Sequence, residues 1–260
     1  MSELPGSWAA FGLGHLGQAY LWALAGLPYE SPEGVLILLC DDDRVAKPNI
    51  ETGALLAPGS GGLKTRAAAE WLEARGFSTR LLERRVDANF RRTEQEPVIA
   101  LAGFDDNQAR HWLSHAGFER VFDSGLGGEI ANFDTIAYHT FPNLQDADKL
   151  WILEPPDAPS LRKARAQELA NRNAAYQALA VDDCGRLLLA GESIAVPFVG
   201  AIAACVVVAE ALKSLNGGPT YYDLTLRLGS MASEGVPGLL AHERAPPIRG
   251  LSARPVKSVT

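Results

Sequence analysis

A short apolar run, Trp8-Ala9-Ala10-Phe11, enters the turn Gly12-Leu13-Gly14-His15-Leu16-Gly17, and a helix-like pattern from Leu16 to Ala25 leaves it. Nothing else in the chain constrains its folding so tightly. Each glycine of a Gly-x-Gly-x-x-Gly turn removes a side chain where the backbone must bend sharply or approach a phosphate. The helix that follows aims its free N–H groups and its dipole at that anion. A second strand-like run, Val35 to Cys40, ends in Asp41-Asp42-Asp43. A carboxylate at the tip of the second strand is where a ribose hydroxyl is usually held. These two features predict a nucleotide site and leave its chemistry open.

The pattern continues as an alternation of strands and helices. Strands are expected at Trp8–Phe11, Val35–Cys40, Thr79–Val86, Pro97–Ala102, Val121–Gly125, Asp134–Phe141 and Tyr221–Leu228. Helices are expected near Leu16–Ala25, Leu63–Arg75, Gln108–Ala116 and Ser160–Ala180. Apolar strands separated by amphipathic helices imply a sheet covered on both faces. The expected class is therefore α/β: a Rossmann-like, mostly parallel central sheet with helices on both faces, plus antiparallel C-terminal strands. Residues 1–233 read as one domain with a loop and crossover region over about 142–196, and residues 234–260 as a C-terminal tail. Phe198–Leu215 is apolar enough to resemble a membrane span, but Glu210, Lys213 and its alanine and valine content predict a buried core helix.

Charge and cysteine use narrow the partners and the compartment. A net charge of −7 argues against nucleic acid as the main partner, because a phosphate backbone requires a basic face. Cys40, Cys184 and Cys205 share no CxxC spacing, so neither a disulfide framework nor a four-cysteine zinc site is expected. Met1-Ser2-Glu3-Leu4-Pro5 runs almost directly into the first strand without a signal-peptide pattern. The expectation is a soluble, cytoplasmic protein without membrane attachment.

Beyond the aspartates lie Val45, Pro48-Asn49-Ile50 and Gly61-Gly62-Leu63-Lys64, the last opening a helix. Asp105-Asp106-Asn107 follows the fourth strand, and Val196-Pro197-Phe198-Val199-Gly200 leads into the apolar helix. In this order the motifs resemble the ThiF/MoeB/HesA family, the ubiquitin-activating-enzyme-like adenylyltransferases, over roughly Ala9 to Gly218. The resemblance implies an enzyme that binds ATP over the glycine turn and attaches AMP to the C-terminal carboxylate of a ubiquitin-like or sulfur-carrier-like protein. It implies nucleotide contacts from Gly12, Gly14, Gly17, Asp41, Asn49 and Lys64, with Asp41 on the ribose and Asn49 and Lys64 facing the phosphates. It implies Mg²⁺ on Asp106, Cys184 as an acyl-accepting nucleophile, and a homodimer. Lys64, Asp106 and Cys184 are the catalytic candidates. Adenylation concentrates negative charge on the α-phosphate as pyrophosphate leaves, which a lysine and a metal stabilise.

This chain departs from the family pattern at two positions. Thr52 stands where the family has a phosphate-clamping arginine, and no arginine precedes Arg44. Arg44, Lys47 and Arg66 are the nearest substitutes. The structural zinc cysteines common in the family are missing, so no structural zinc is expected. Two other readings stand beside adenylation: a nucleotide-binding or partner-docking member without turnover, and a nicotinamide-dependent oxidoreductase resting on the glycine turn and strand-end acid alone. Among the remaining features, Cys40 and Cys205 are expected to be buried packing residues. His111 and His115 read as surface or capping histidines, His15 as a tolerated substitution, and Glu83-Arg84-Arg85 as a solvated strand end. Asp42, Asp43 and Asp105 read as neighbours of the functional aspartates.

Overall fold

The computed structural model describes residues 3–127, 133–151, 196–228, 238–239 and 253–255. Ten strands can be named in chain order. β1 (Glu3–Pro5), β2 (Ser7–Phe11), β3 (Leu36–Cys40), β4 (Ser78–Leu82) and β5 (Ile99–Ala102) are followed by β6 (Arg120–Leu126), β7 (Thr135–Phe141), β8 (Asp223–Arg227), β9 (Gly238–Leu239) and β10 (Ala253–Pro255). The described helices are α1 (His15–Ala25), α2 (Lys47–Thr52), α3 (Lys64–Glu73), α4 (Asn107–Ser114), α5 (Ala147–Leu150) and α6 (Pro197–Leu215).

Eight strands form one sheet in the order β4-β3-β2-β5-β6-β7-β8-β9. The pairings from β4 through β6 are parallel, and those from β6 through β9 are antiparallel. The expected mostly parallel, Rossmann-like sheet with antiparallel C-terminal strands is what the chain forms. Side-chain alternation along the central strands builds two cores. Trp8 and Ala10, Ile37 and Leu39, and Ile99 and Leu101 face one side, against α1, α3 and α6. Ala9 and Phe11, Leu38 and Cys40, and Ala100 and Ala102 face the other, against Leu113 of α4 and Ala147 and Trp151 around α5. Burial of such side chains contributes roughly 1.5–3 kcal/mol each, which is why unbroken apolar runs appear only in the central strands.

Several boundaries differ from the sequence reading for local reasons. β4 stops at Leu82, where its ladder to β3 ends at the Cys40–Leu82 pair. Glu83-Arg84-Arg85 therefore leaves the sheet rather than extending it. The tail is not wholly without structure, because β9 adds to the sheet edge and β10 pairs antiparallel with β1, with Arg254 Nε donating to Gly34 O at 2.8 Å. Helix α6 is long and apolar enough to cross a membrane by length and composition, yet half of it is buried. Its Glu210 is buried, paired with Lys213 Nζ at 2.6 Å and accepting the Tyr221 N–H at 3.0 Å. Cys40 is buried as expected, but Cys205 is exposed on α6, because its helical position faces away from α1 and the sheet. The helix expected at Ser160–Ala180 lies outside the described residues.

Candidate functional site

In the parallel part of the sheet the strand order reverses between β2 and β5, which opens a crevice at their carboxyl ends. The glycine turn sits there, held by Gly12 N donating to Cys40 O at 3.0 Å and Gly103 N to Phe11 O at 2.8 Å. Gly12 has φ +71°, a left-handed conformation that side chains resist, and a Cβ on it would lie 2.9 Å from the Phe104 ring. A Cβ on Gly17 would lie 2.0 Å from Gly12 O, so this glycine lets α1 begin directly beneath the turn. Gly14 differs from both. It has φ −75°, and a Cβ there would meet no atom within 4 Å. Neither a left-handed φ nor packing demands glycine at this position. The open space above it is a cavity of about 760 Å³, within the range of small-molecule sites.

Gly12, Gly14, Asp41, Asn49, Lys64 and Asp106 all line this cavity. Gly17 does not, and its place is in the packing below the wall. Cys184 lies outside the described residues. Asp41 is fastened to the turn: Oδ2 accepts Leu13 N–H at 2.6 Å and Oδ1 accepts Asp43 N–H at 2.8 Å. Burial raises its carboxyl above the usual range, opposed by those bonds and by Lys64. Lys64 Nζ sits 2.7 Å from Asp43 Oδ2 and 3.9 Å from Asp41 Oδ2, and its backbone N–H donates to Asp43 O. Asp43 is thus the anchor of the lysine rather than a bystander. Asn49 Oδ1 accepts Ala46 N–H at 2.9 Å, fixing the first turn of α2. Asp106 caps α4 by accepting Gln108 N–H at 2.9 Å.

Two groups of carboxylates could take a hard cation. Asp106 stands at the carboxyl end of β5, and Asp41, Asp42 and Asp43 bring oxygens within 4.8 Å of one another across the cavity wall. Mg²⁺ favours one or two carboxylates with the remaining positions left to water and phosphate, so Asp106 fits that demand. The cations facing the cavity are not those nearest in sequence to the missing arginine. Lys47 pairs with Glu51, Arg66 makes a two-pronged bond to Glu83, and neither they nor Arg44 line the cavity. Arg84, Arg85 and Arg110 do. Arg84 and Arg85 arrive because β4 ends early. Arg110 is tied down by Phe104 O, Ser124 O and Asp123 at 3.4 Å, and its guanidinium lies over Trp151.

Two residues with structural control of the site were not given that role by the sequence: Gln18 was passed over, and His15 was read as a tolerated substitution. Gln18 is completely buried; its Nε2 donates to Asn49 O at 3.0 Å and its Oε1 accepts from Leu55 and Leu56 N–H at 3.2 and 3.1 Å. One side chain thereby holds α2 and the following loop against α1. Its signal was present: a lone amide among Leu16, Ala19, Tyr20 and Leu21, on a helix with no polar face to account for it. His15 is the second. Its Nδ1 lies 2.5 Å from Thr52 O, and Gly200 at the start of α6 is the residue that makes room for the ring, since a Cβ there would sit 2.3 Å from Nε2. Thr52, at the arginine position, lines the cavity and donates its hydroxyl to Pro48 O within α2 at 2.8 Å.

Comparison with known proteins agrees with this architecture. A family model described as the BilD C-terminal domain matches residues 4–218. The bacterial E1-like protein BilD of Collimonas sp. (strain OK412) is 39% identical over 225 residues, covering 85% of this chain and 47% of that protein. This chain thus spans about half the length of that curated relative. The crystal structure of PaaA superposes with a TM-score of 0.54 at 17% identity, covering 86% of this chain and 69% of PaaA. Escherichia coli MccB with succinimide gives 0.51 at 14% identity, covering 80% and 55%. Both of these distant structures share the fold.

Proposed function

This chain belongs to the BilD C-terminal domain family, among the ThiF/MoeB-type E1-like proteins, and from that premise we propose that it activates a carboxylate by ATP-dependent adenylation. The substrate carboxylate is the C-terminus of a ubiquitin-like or sulfur-carrier-like protein. The observation that carries this reading is the open volume above Gly14, where Asp41, Asn49, Lys64 and Asp106 converge on one cavity. A nicotinamide enzyme would have no use for that lysine or for the acid at the end of β5.

In this mechanism a carboxylate oxygen attacks the α-phosphorus of ATP, an acyl adenylate forms, and pyrophosphate leaves. The N-terminal N–H groups of α1 receive the phosphates over Gly14, and Asp41 takes the ribose hydroxyl. Lys64, pre-positioned by Asp43, opposes the charge that builds on the α-phosphate, while Asn49 and the Arg84-Arg85 pair reach the outer phosphates. Asp106 would hold Mg²⁺, which supplies charge neutralisation to the phosphate oxygens. Cys184 is proposed as the acceptor that converts the adenylate to a thioester. The exposed apolar face of α6, with Phe198 and Ile202 and the Phe133 ring against Phe198, supports a homodimer. The proposed setting is cytoplasmic.

The test is pyrophosphate exchange into ATP in the presence of the cognate small protein. Lys64→Ala should lower exchange by at least about 100-fold, the scale of removing one charge-stabilising donor. Exchange unaffected by Lys64→Ala refutes the assignment. Thr52 in place of the arginine, its hydroxyl bonded within α2, favours one other reading, a member that holds ATP without turnover; tight ATP binding with no exchange selects it. A thiol-sensitive adduct that persists in Cys184→Ser removes that cysteine from the mechanism.

A further inference from the structure

We propose a transition-metal site, separate from the nucleotide cavity, formed by His111 of α4, His115 at its C-cap and Asp148 of α5. None of the three lines the cavity, and the adenylation reading uses none of them. His111 and His115 are one helical turn apart, with ring centroids 4.8 Å from each other. Spacing of i, i+4 places two imidazoles on one helix face, as in known two-histidine metal motifs. Both Nε2 atoms point at the same oxygen: His111 Nε2 contacts Asp148 Oδ1, and His115 Nε2 lies 3.9 Å from it. One potential ligand atom from each of the three residues lies within 4.8 Å of the others.

The ring of His115 is held from behind at this junction. Ser114 Oγ donates its hydrogen to His111 O at 2.7 Å. His115 Nδ1 lies 3.0 Å from that same carbonyl and 3.2 Å from Ser114 Oγ, whose hydrogen is already committed. His115 Nδ1 is thus held at a backbone carbonyl, while its Nε2 faces the Asp148 carboxylate. An ion bound here would take the place of the hydrogen bond between His111 Nε2 and Asp148 Oδ1. An N–H held by a backbone carbonyl, with the other nitrogen left as ligand, is the outer support that metal-binding histidines characteristically have.

The scaffold holds the trio in place. Leu113 is buried on α4, Ala147 and Trp151 are buried around α5, and Asp146 caps α5 by accepting Asp148 N–H at 3.2 Å. Two imidazoles and one carboxylate suit zinc and its neighbours rather than Mg²⁺, which prefers oxygen ligands throughout. Asp148 is 62% exposed and His115 47%, which leaves a fourth position open to water. The bound ion would tie α4, whose first residue follows Asp106, to the chain leaving β7.

The test is calorimetric titration of the tag-free, chelator-treated full chain with ZnCl₂ near neutral pH. One site per chain is expected, unaffected by millimolar Mg²⁺ and retained in Cys205→Ser and Cys184→Ser. His115→Ala and Asp148→Asn, both at exposed side chains and both checked for wild-type circular dichroism, should each weaken it at least about 100-fold. Absence of zinc binding in the wild-type chain overturns the proposal. So does an isotherm that survives both substitutions, or one abolished by either cysteine replacement.

Discussion

Gly14 and Gly17 belong to one motif, yet the structure predicts opposite consequences for the same substitution. In Gly17→Ala the new methyl would lie 2.0 Å from Gly12 O, a backbone atom that can retreat only if the turn itself moves. Overpacking of this kind costs about 3 kcal/mol or more. In Gly14→Ala the methyl meets nothing within 4 Å and φ stays negative, so the expected stability change is no more than about 1 kcal/mol. The methyl instead occupies the surface over which the phosphates are proposed to lie. Displacing them breaks bonds from at least two backbone N–H groups, each worth about 1.5–3 kcal/mol to a charged acceptor. The lower figure for two bonds is about 3 kcal/mol, a weakening of ATP binding by more than about 100-fold. Urea denaturation paired with ATP titration calorimetry separates the two effects. Gly14→Ala that is stable and binds ATP like the wild type would refute phosphate placement at this turn.

Gln18→Leu should destabilise the protein by about 2–5 kcal/mol, because it strands the Leu55 and Leu56 N–H groups and frees α2; urea unfolding measures this, and a loss under about 1 kcal/mol would contradict the assigned role. Burial pushes the Cys40 thiol up to about 12, so at about pH 8 iodoacetamide should label the exposed Cys205 while sparing Cys40 in the folded chain. Peptide mass spectrometry reads the order, and early labelling of Cys40 would count against its burial. Burial also holds His15 below its ordinary 6.5, against the opposing pull of the Thr52 and Val196 carbonyls. The unfolded chain then binds that proton first as pH falls, so folding is disfavoured through His15 below about 6.5 and unaffected by it above. Wild type should lose more stability than His15→Gln between about pH 7.5 and 5.5, and parallel losses would exclude this linkage.

Much of the architecture was legible in the chain because period and composition are local properties. Trp8–Phe11 and Ile99–Ala102 are apolar at every position, as strands covered on both faces must be, and their helices follow at the spacing a parallel crossover needs. The ends of elements were less legible. β4 reads as continuing to Val86, but its hydrogen-bonding partner runs out at Cys40, and no local signal in Glu83-Arg84-Arg85 records where a neighbouring strand stops. Cys205 reads as core inside an apolar run, yet a helix packed along one side leaves some of its apolar positions in solvent. The pairing of β10 with β1 joins residues far apart in the chain and has no signature in either segment.

By itself the sequence determined the α/β class and the position of the glycine turn, which follow from backbone conformation and hydrophobic period, properties that neighbouring residues set among themselves. The grouping of Asp41, Asn49, Lys64 and Asp106 came from the resemblance of the ordered motifs to a known family. Only the tertiary structure decided which glycines line the cavity, which arginines line it with them, and that Asp43 holds Lys64. It also decided that Gln18 braces α2, and that two histidines and an aspartate from separate helices share one point in space. Each of those depends on a distance across the fold, and distances between elements are set by how both faces of the sheet pack at once.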